Sequence, residues 1–356
     1  MKKRVEYCDA LRFFAIISVI AIHVLADFRD VYYHENGTYY FLLSLLDSFT
    51  RAGVPLFFMF TGIFLYSSKK QESYKDSLKK TVKKLVIPLI IVSFIYYIYN
   101  CWVQKTPFSF LQFGVGLYSN QIKYHLWYLY SIILIYLLVP FIKVGIQKFR
   151  QKDLRNLIIV LFILGSVPAT CSRVLSYYEI STFDAWTYPT LFTYLNYTFL
   201  GYYLYHYHIE NKNKKWIYLL GVTSLVCMPI FDSLFIKDLR WDPCFAPDTV
   251  FSFLMTMAVF IYVKDHYKNW HIKEKIQRFF NVNASLSLYI YLSHVMILEL
   301  ARKFLYHYFL PTRMIHNLCM IVVLFFITYI VSFLFSYILQ KVISFGKTKL
   351  EKRRGI

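Results

Sequence analysis

Arg12 and His23 stand 11 residues apart in an otherwise apolar run. That is close to three full helical turns, so one helix face would carry both, about 16 Å apart along its axis. A guanidinium binds phosphate, and a neutral imidazole, titrating near about 6.5, accepts a proton from a hydroxyl. The separation compares with the extended pantetheine arm of coenzyme A, so a phosphate held near Arg12 would leave a thioester close to His23. The plainer alternatives are an Arg12 that snorkels to the interface or pairs with Asp9, and a His23 that is a hydrogen-bonded interior histidine. Asp27 follows His23 by four residues and would orient its imidazole, unless it lies in the adjoining loop. Arg51 would neutralise developing negative charge or an anionic glycan, or serve as a plain interfacial arginine. His294 would line the same pore or bridge helices. Trp127, Tyr128 and Tyr130 would stack on a sugar, line an acyl channel or form an aromatic belt.

The elements that must position these groups are ten apolar runs, roughly 9–28, 41–66, 85–103, 125–142, 156–172, 189–206, 216–235, 249–263, 284–302 and 315–340. Each approaches the length that crosses a bilayer. Backbone groups in lipid find no water, so each run should be helical. The fold class is therefore an all-α polytopic membrane bundle of about ten transmembrane helices. A single transmembrane domain is expected over 1–340, followed by a basic tail over 341–356.

Composition excludes the other broad classes. The chain has 356 residues, 58% hydrophobic and only 17% charged, with a mean hydropathy of +0.44. That content rules out disorder and disfavours a soluble globule. The net charge of +20 would otherwise suggest nucleic acid. It is, however, one-sided. Clusters such as Lys2-Lys3-Arg4, Lys69 to Lys84, Lys143 to Arg155, Lys212 to Lys215, Lys264 to Arg278 and Lys341 to Arg354 all fall on alternate loops. By the positive-inside rule both termini are cytoplasmic, and no nucleic-acid partner is expected. The opposite loops, 29–40, 104–124, 173–188, 236–248 and 303–314, are richer in Tyr, Asp and Pro. The six cysteines are scattered singly, without zinc or redox spacing, and no metal site is expected. The first run carries Arg12 and His23 and no small-residue cleavage site, so it reads as a retained span.

Four stretches resemble the membrane-bound acyltransferase family 3. Asp9 to His23 is similar to its opening helix, an Arg, ten residues and a His. Gly53 to Gly62 resembles its second span, with Thr61 where Ser is usual. His125-Leu-Trp127-Tyr128-Leu resembles the start of its fourth span, and Tyr289 to His294 its late histidine-bearing span. The likeness runs from residue 5 to about 340. It implies an O-acyltransferase of a bacterial cytoplasmic membrane, with acyl-CoA, most simply acetyl-CoA, as donor substrate and no permanently bound cofactor. The acceptor would be a hydroxyl of an envelope glycan or a lipid-linked oligosaccharide. Homo-oligomers, glycan-assembly partners and membrane lipid are the further partners to expect. His23 would be the general base, with Asp27 orienting its imidazole and Arg12 holding a donor phosphate or organising the pore. The family's Arg-x-x-Arg before the third span is Lys80-Thr-Val-Lys83 here, followed by Lys84. These lysines would bind the nucleotide as point charges, without the bidentate fork, or form a plain positive-inside loop. The rival class is a transporter or flippase of a polar solute or acyl donor, with Arg12 and His23 in its pathway.

Overall fold

The computed structural model describes residues 5–35, 37–68, 73–180, 190–235, 244–305 and 314–353. Lys2, Lys3, Arg4, Lys69, Lys70 and Arg354 lie outside them. Among the described residues the secondary structure is helical, with no strand. The helices in chain order are α1 (Glu6–Glu35), α2 (Gly37–Ser48), α3 (Gly53–Tyr66), α4 (Tyr74–Thr81), α5 (Ile87–Gln104), α6 (Phe110–Tyr118), α7 (Trp127–Ile146), α8 (Gln151–Leu161), α9 (Val167–Tyr177), α10 (Thr190–His206), α11 (Asn211–Phe235), α12 (Val250–His266), α13 (Glu274–Leu305) and α14 (Met314–Arg353).

Among the described residues, each of the ten apolar runs lies mainly on helix. Eight continuous or nearly continuous stretches among these residues are long and apolar enough to cross a bilayer. α10 and α12 carry the sixth and eighth runs and have 17 residues each, about 25 Å. The second run is not one helix. It breaks in a turn over 49–52, where Arg51 sits, and restarts at Gly53 with Pro55 in the first turn, where a missing N–H costs nothing. The loop expected over 104–124 contains α6. α14 runs on through residue 341 to Arg353.

Prolines explain the wide turns. Val82–Val86 and Phe162–Ser166 are five-residue π segments that lead into helices with Pro88 and Pro168 near their starts. Proline donates no N–H and its ring collides with the carbonyl four residues back. A single wide turn absorbs that collision without ending the span.

The chain gathers into two compact units. The first comprises 1–57, 162–190 and 208–356. In it α1 packs on α13, α14, α2 and α12, and α11 packs on α12 and α2. α1 and α13 run parallel: Phe13 lies beside Phe280 at 5.3 Å between ring centres, and His23 beside His294. α14 runs antiparallel to both, since Tyr329 donates to Asn283 at 2.8 Å and Asn317 bonds Tyr32. Leu11, Ala15, Ile16, Val19 and Ile20 fill the core face of α1.

The second unit comprises 58–161 and 191–207. Here α3 and α10 cross at two glycines. A side chain at Gly62 would overlap the Thr198 carbonyl, and one at Gly201 the Met59 backbone. Small residues let helices approach in lipid, where no hydrophobic force drives them together. Tyr66 and Thr198 share a hydrogen bond of 2.9 Å beside this crossing, and Phe58 stacks on Tyr194.

Candidate functional site

In the first unit α1 supplies His23 and Asp27, and the parallel α13 supplies His294 and Arg302. The His23 and His294 rings lie 5.3 Å apart, tilted by 33°. His294 is fully buried, and its Nδ1 lies 2.6 Å from the Tyr291 carbonyl oxygen. A carbonyl only accepts, so Nδ1 carries the proton and Nε2 presents a lone pair. Arg302 grips α1 twice. Its Nε pairs with Asp27 Oδ2 at 2.7 Å, and its Nη2 donates to the His23 carbonyl oxygen. The backbone that bears the half-buried His23 is thus tied to α13 by a charged donor. Asp27 faces that arginine. Arg302 escaped the sequence reading because it falls at the edge of an apolar run, where cations are common.

Arg12 is half-buried on α1, towards the other end of the same helix. Asp9, one turn earlier, is buried; with the Asn281 amide assigned by its neighbours, its nitrogen donates to Asp9 Oδ2 at 2.8 Å and to the Gln277 main-chain carbonyl at 3.1 Å. Tyr267 hydrogen-bonds Gln277 in turn, and burial, with the Glu6 and Asp9 carboxylates adding to it, pushes its phenol up to about 12. A polar cluster therefore anchors the start of α1 against α13.

Arg51 belongs to a second buried network in this unit. Its Nε donates to Asp47 at 3.1 Å, its Nη1 to the Phe245 carbonyl at 3.1 Å, and its guanidinium lies 4.7 Å from the Phe245 ring centre. Arg29, buried, bonds Asp47 at 2.7 Å, Ser44 at 3.1 Å and Asp232 at 3.0 Å, and its guanidinium lies 4.4 Å from the same Phe245 ring centre. Tyr40 also bonds Asp232. The two arginines and two aspartates balance in charge. Asp47 and Asp232 lie inside apolar runs, which was the available signal for them.

In the second unit a cavity of about 460 Å³ opens among four lysines. Lys80 and Lys84 enter it from one helical face, four residues apart, and Lys143 and Lys148 from the end of α7. Gln147 closes one wall by donating to the Tyr66 carbonyl at 2.7 Å. Lys83, expected to act with Lys80, does not line this cavity and is exposed. Lys143 and Lys148 read in sequence as ordinary loop charges. Trp127 and Tyr128 pack into an aromatic cluster. Trp127 stacks on Tyr194 at 5.3 Å and Tyr128 meets Phe58 edge-on at 5.0 Å. Among the described residues no group of three or more His, Cys, Asp or Glu side chains could hold a metal ion.

Among the described residues, eight helical stretches long and apolar enough to cross a bilayer, with the His23 and His294 rings side by side within two of them, define a multi-pass membrane protein. Residues 5–337 match the acyltransferase domain family, and the chain belongs to it as a membrane acyltransferase. No curated protein and no solved structure matches the chain.

Proposed function

We propose that this protein transfers an acyl group, most simply acetyl, from cytoplasmic acyl-CoA to a hydroxyl of an extracytoplasmic envelope polysaccharide or lipid-linked glycan precursor. The membrane would be the bacterial cytoplasmic membrane, with both termini inside. The observation that carries the reading is the interior pairing of His23 with His294, on a backbone fixed by Arg302. A general base must be held in place and kept neutral at the moment of attack. His23 takes the acceptor's proton as its oxygen attacks the thioester carbonyl. The carbon–sulfur bond breaks, and the CoA thiolate leaves with that proton. Arg12 holds a donor phosphate. Lys80 and Lys84, with Lys143 and Lys148, draw in the polyanionic nucleotide. Trp127 and Tyr128 shape the aromatic wall beside the acyl path or acceptor.

The test is His23→Ala, purified in detergent and assayed with acetyl-CoA and acceptor. Transfer should vanish while the thermal midpoint and elution profile stay those of the parent chain. Near-normal transfer by this variant would overturn the assignment. The same assay separates an enzyme from a carrier, because only an enzyme turns over without a sealed membrane.

A further inference from the structure

The geometry points to α6 as a membrane-embedded helix lying in the plane of the bilayer, its exposed face against the acyl chains of the leaflet remote from Lys80 and Lys84. This follows from depth, polarity and backbone satisfaction. It stands on the multi-pass topology and not on the transfer reaction.

Depth comes from the two flanking spans. From Lys84 to the end of α5 at Gln104 the chain climbs about 30 Å, one hydrocarbon thickness. Tyr97 is 13 residues past Lys84, and Tyr130 on α7 is 13 residues before Lys143, so both lie about 20 Å from the lysine boundary. Both grip α6. The Tyr97 hydroxyl donates to the Ser109 carbonyl at 3.1 Å and accepts the Ser109 N–H at 3.3 Å. The Tyr130 hydroxyl donates to the Leu117 carbonyl. Phe113 lies 5.4 Å from Phe94 and 5.5 Å from Tyr97. The start and the end of α6 therefore sit about 10 Å inside the far boundary.

Polarity agrees. Residues 106–122 carry no charge, between Lys105 and Lys123. None of the nine residues of α6 is buried. Leu111, Val115 and Tyr118 share one helical face and are 77, 56 and 93% exposed. The neighbouring span α5 likewise exposes apolar side chains, at Ile91, Ile95, Ile98 and Trp102. A water-facing helix of this composition would be an aggregation hazard, whereas against lipid it is ordinary.

Backbone satisfaction is the third observation. Non-span backbone at membrane depth persists only where protein groups take its donors and acceptors. Ser109 caps the first turn by accepting the Gln112 N–H at 3.3 Å. Gln121 N–H returns to the Gly116 carbonyl at 2.9 Å, and Asn100 donates to the Ile122 carbonyl at 2.9 Å. Lys123, at the exit, lies 5.6 and 5.7 Å from the Tyr96 and Tyr99 ring centres.

The test uses the full chain in proteoliposomes. In Leu111→Trp, the emission gained over the parent chain should be strongly quenched by lipids brominated in mid-chain and hardly changed by aqueous iodide. Iodide quenching without bromolipid quenching would overturn the proposal. Independently, a benzophenone amino acid at position 118 should yield a photoadduct on a phospholipid acyl chain. Adducts formed only with glycan or with another protein would overturn it too.

Discussion

Arg302 ion-pairs with Asp27 at 2.7 Å while it donates to the main-chain carbonyl of His23. One side chain thus fixes both the position of the proposed base and the carboxylate one turn beyond it. Arg302→Ala should lower kcat about 100-fold, the cost of misplacing a reacting group by about 1 Å, with little change in KM. Arg302→Lys keeps a charge for Asp27 but lacks the planar fork, and should recover part of that loss. Steady-state kinetics of the two variants check this. Equal kcat in Arg302→Ala and the parent chain would remove Arg302 from the site.

The lysine cavity discriminates between neighbours. Lys84 lines it and Lys83 does not. Lys84→Ala should therefore raise KM for acyl-CoA about 3-fold, the effect of one partly exposed charge pair, and the increase should shrink as salt screens the parent chain. Lys83→Ala should leave KM within error. A KM titration at two ionic strengths checks both, and the reverse order would favour the Lys80-x-x-Lys83 pairing read from the sequence.

The Arg29 network makes a prediction about stability. Its arginine holds Asp47 and Asp232 together from inside an apolar span. Arg29→Met strands Asp232 as a buried carboxylate, and breaking one partner of such a pair costs about 3–5 kcal/mol. The thermal midpoint in detergent should fall steeply. Arg29→Met combined with Asp232→Asn should recover much of the loss, since it removes both charges together.

What the sequence discloses and hides follows from the range of each interaction. The ten apolar runs and the shared face of Arg12 and His23 are local patterns, imposed by lipid thickness and helical pitch, and among the described residues each run lies mainly on helix. Arg302 reaches across 279 residues and Arg29 reaches Asp232 across 203, so no local spacing announces either. α6 is hidden in the sequence because nine residues with two glycines show too little periodicity for a span. The break at Arg51 was visible only as an arginine and a proline in an apolar run.

The α3–α10 crossing supplies a stability comparison within one protein. A Cβ at Gly62 would overlap the Thr198 carbonyl, which belongs to a helix backbone and has little room to shift. At Gly145, on α7, nothing lies within 4 Å of the added carbon. Gly145→Ala should therefore be neutral or gain up to about 1 kcal/mol from helix propensity. Gly62→Ala carries the same propensity gain but must push two helices apart, which costs about 1–3 kcal/mol in a packed interior. In the same detergent the thermal midpoint of Gly62→Ala should fall below the parent chain's, while that of Gly145→Ala should hold or rise. If they move together, the helices yield at this crossing, and glycine is not what sets their separation.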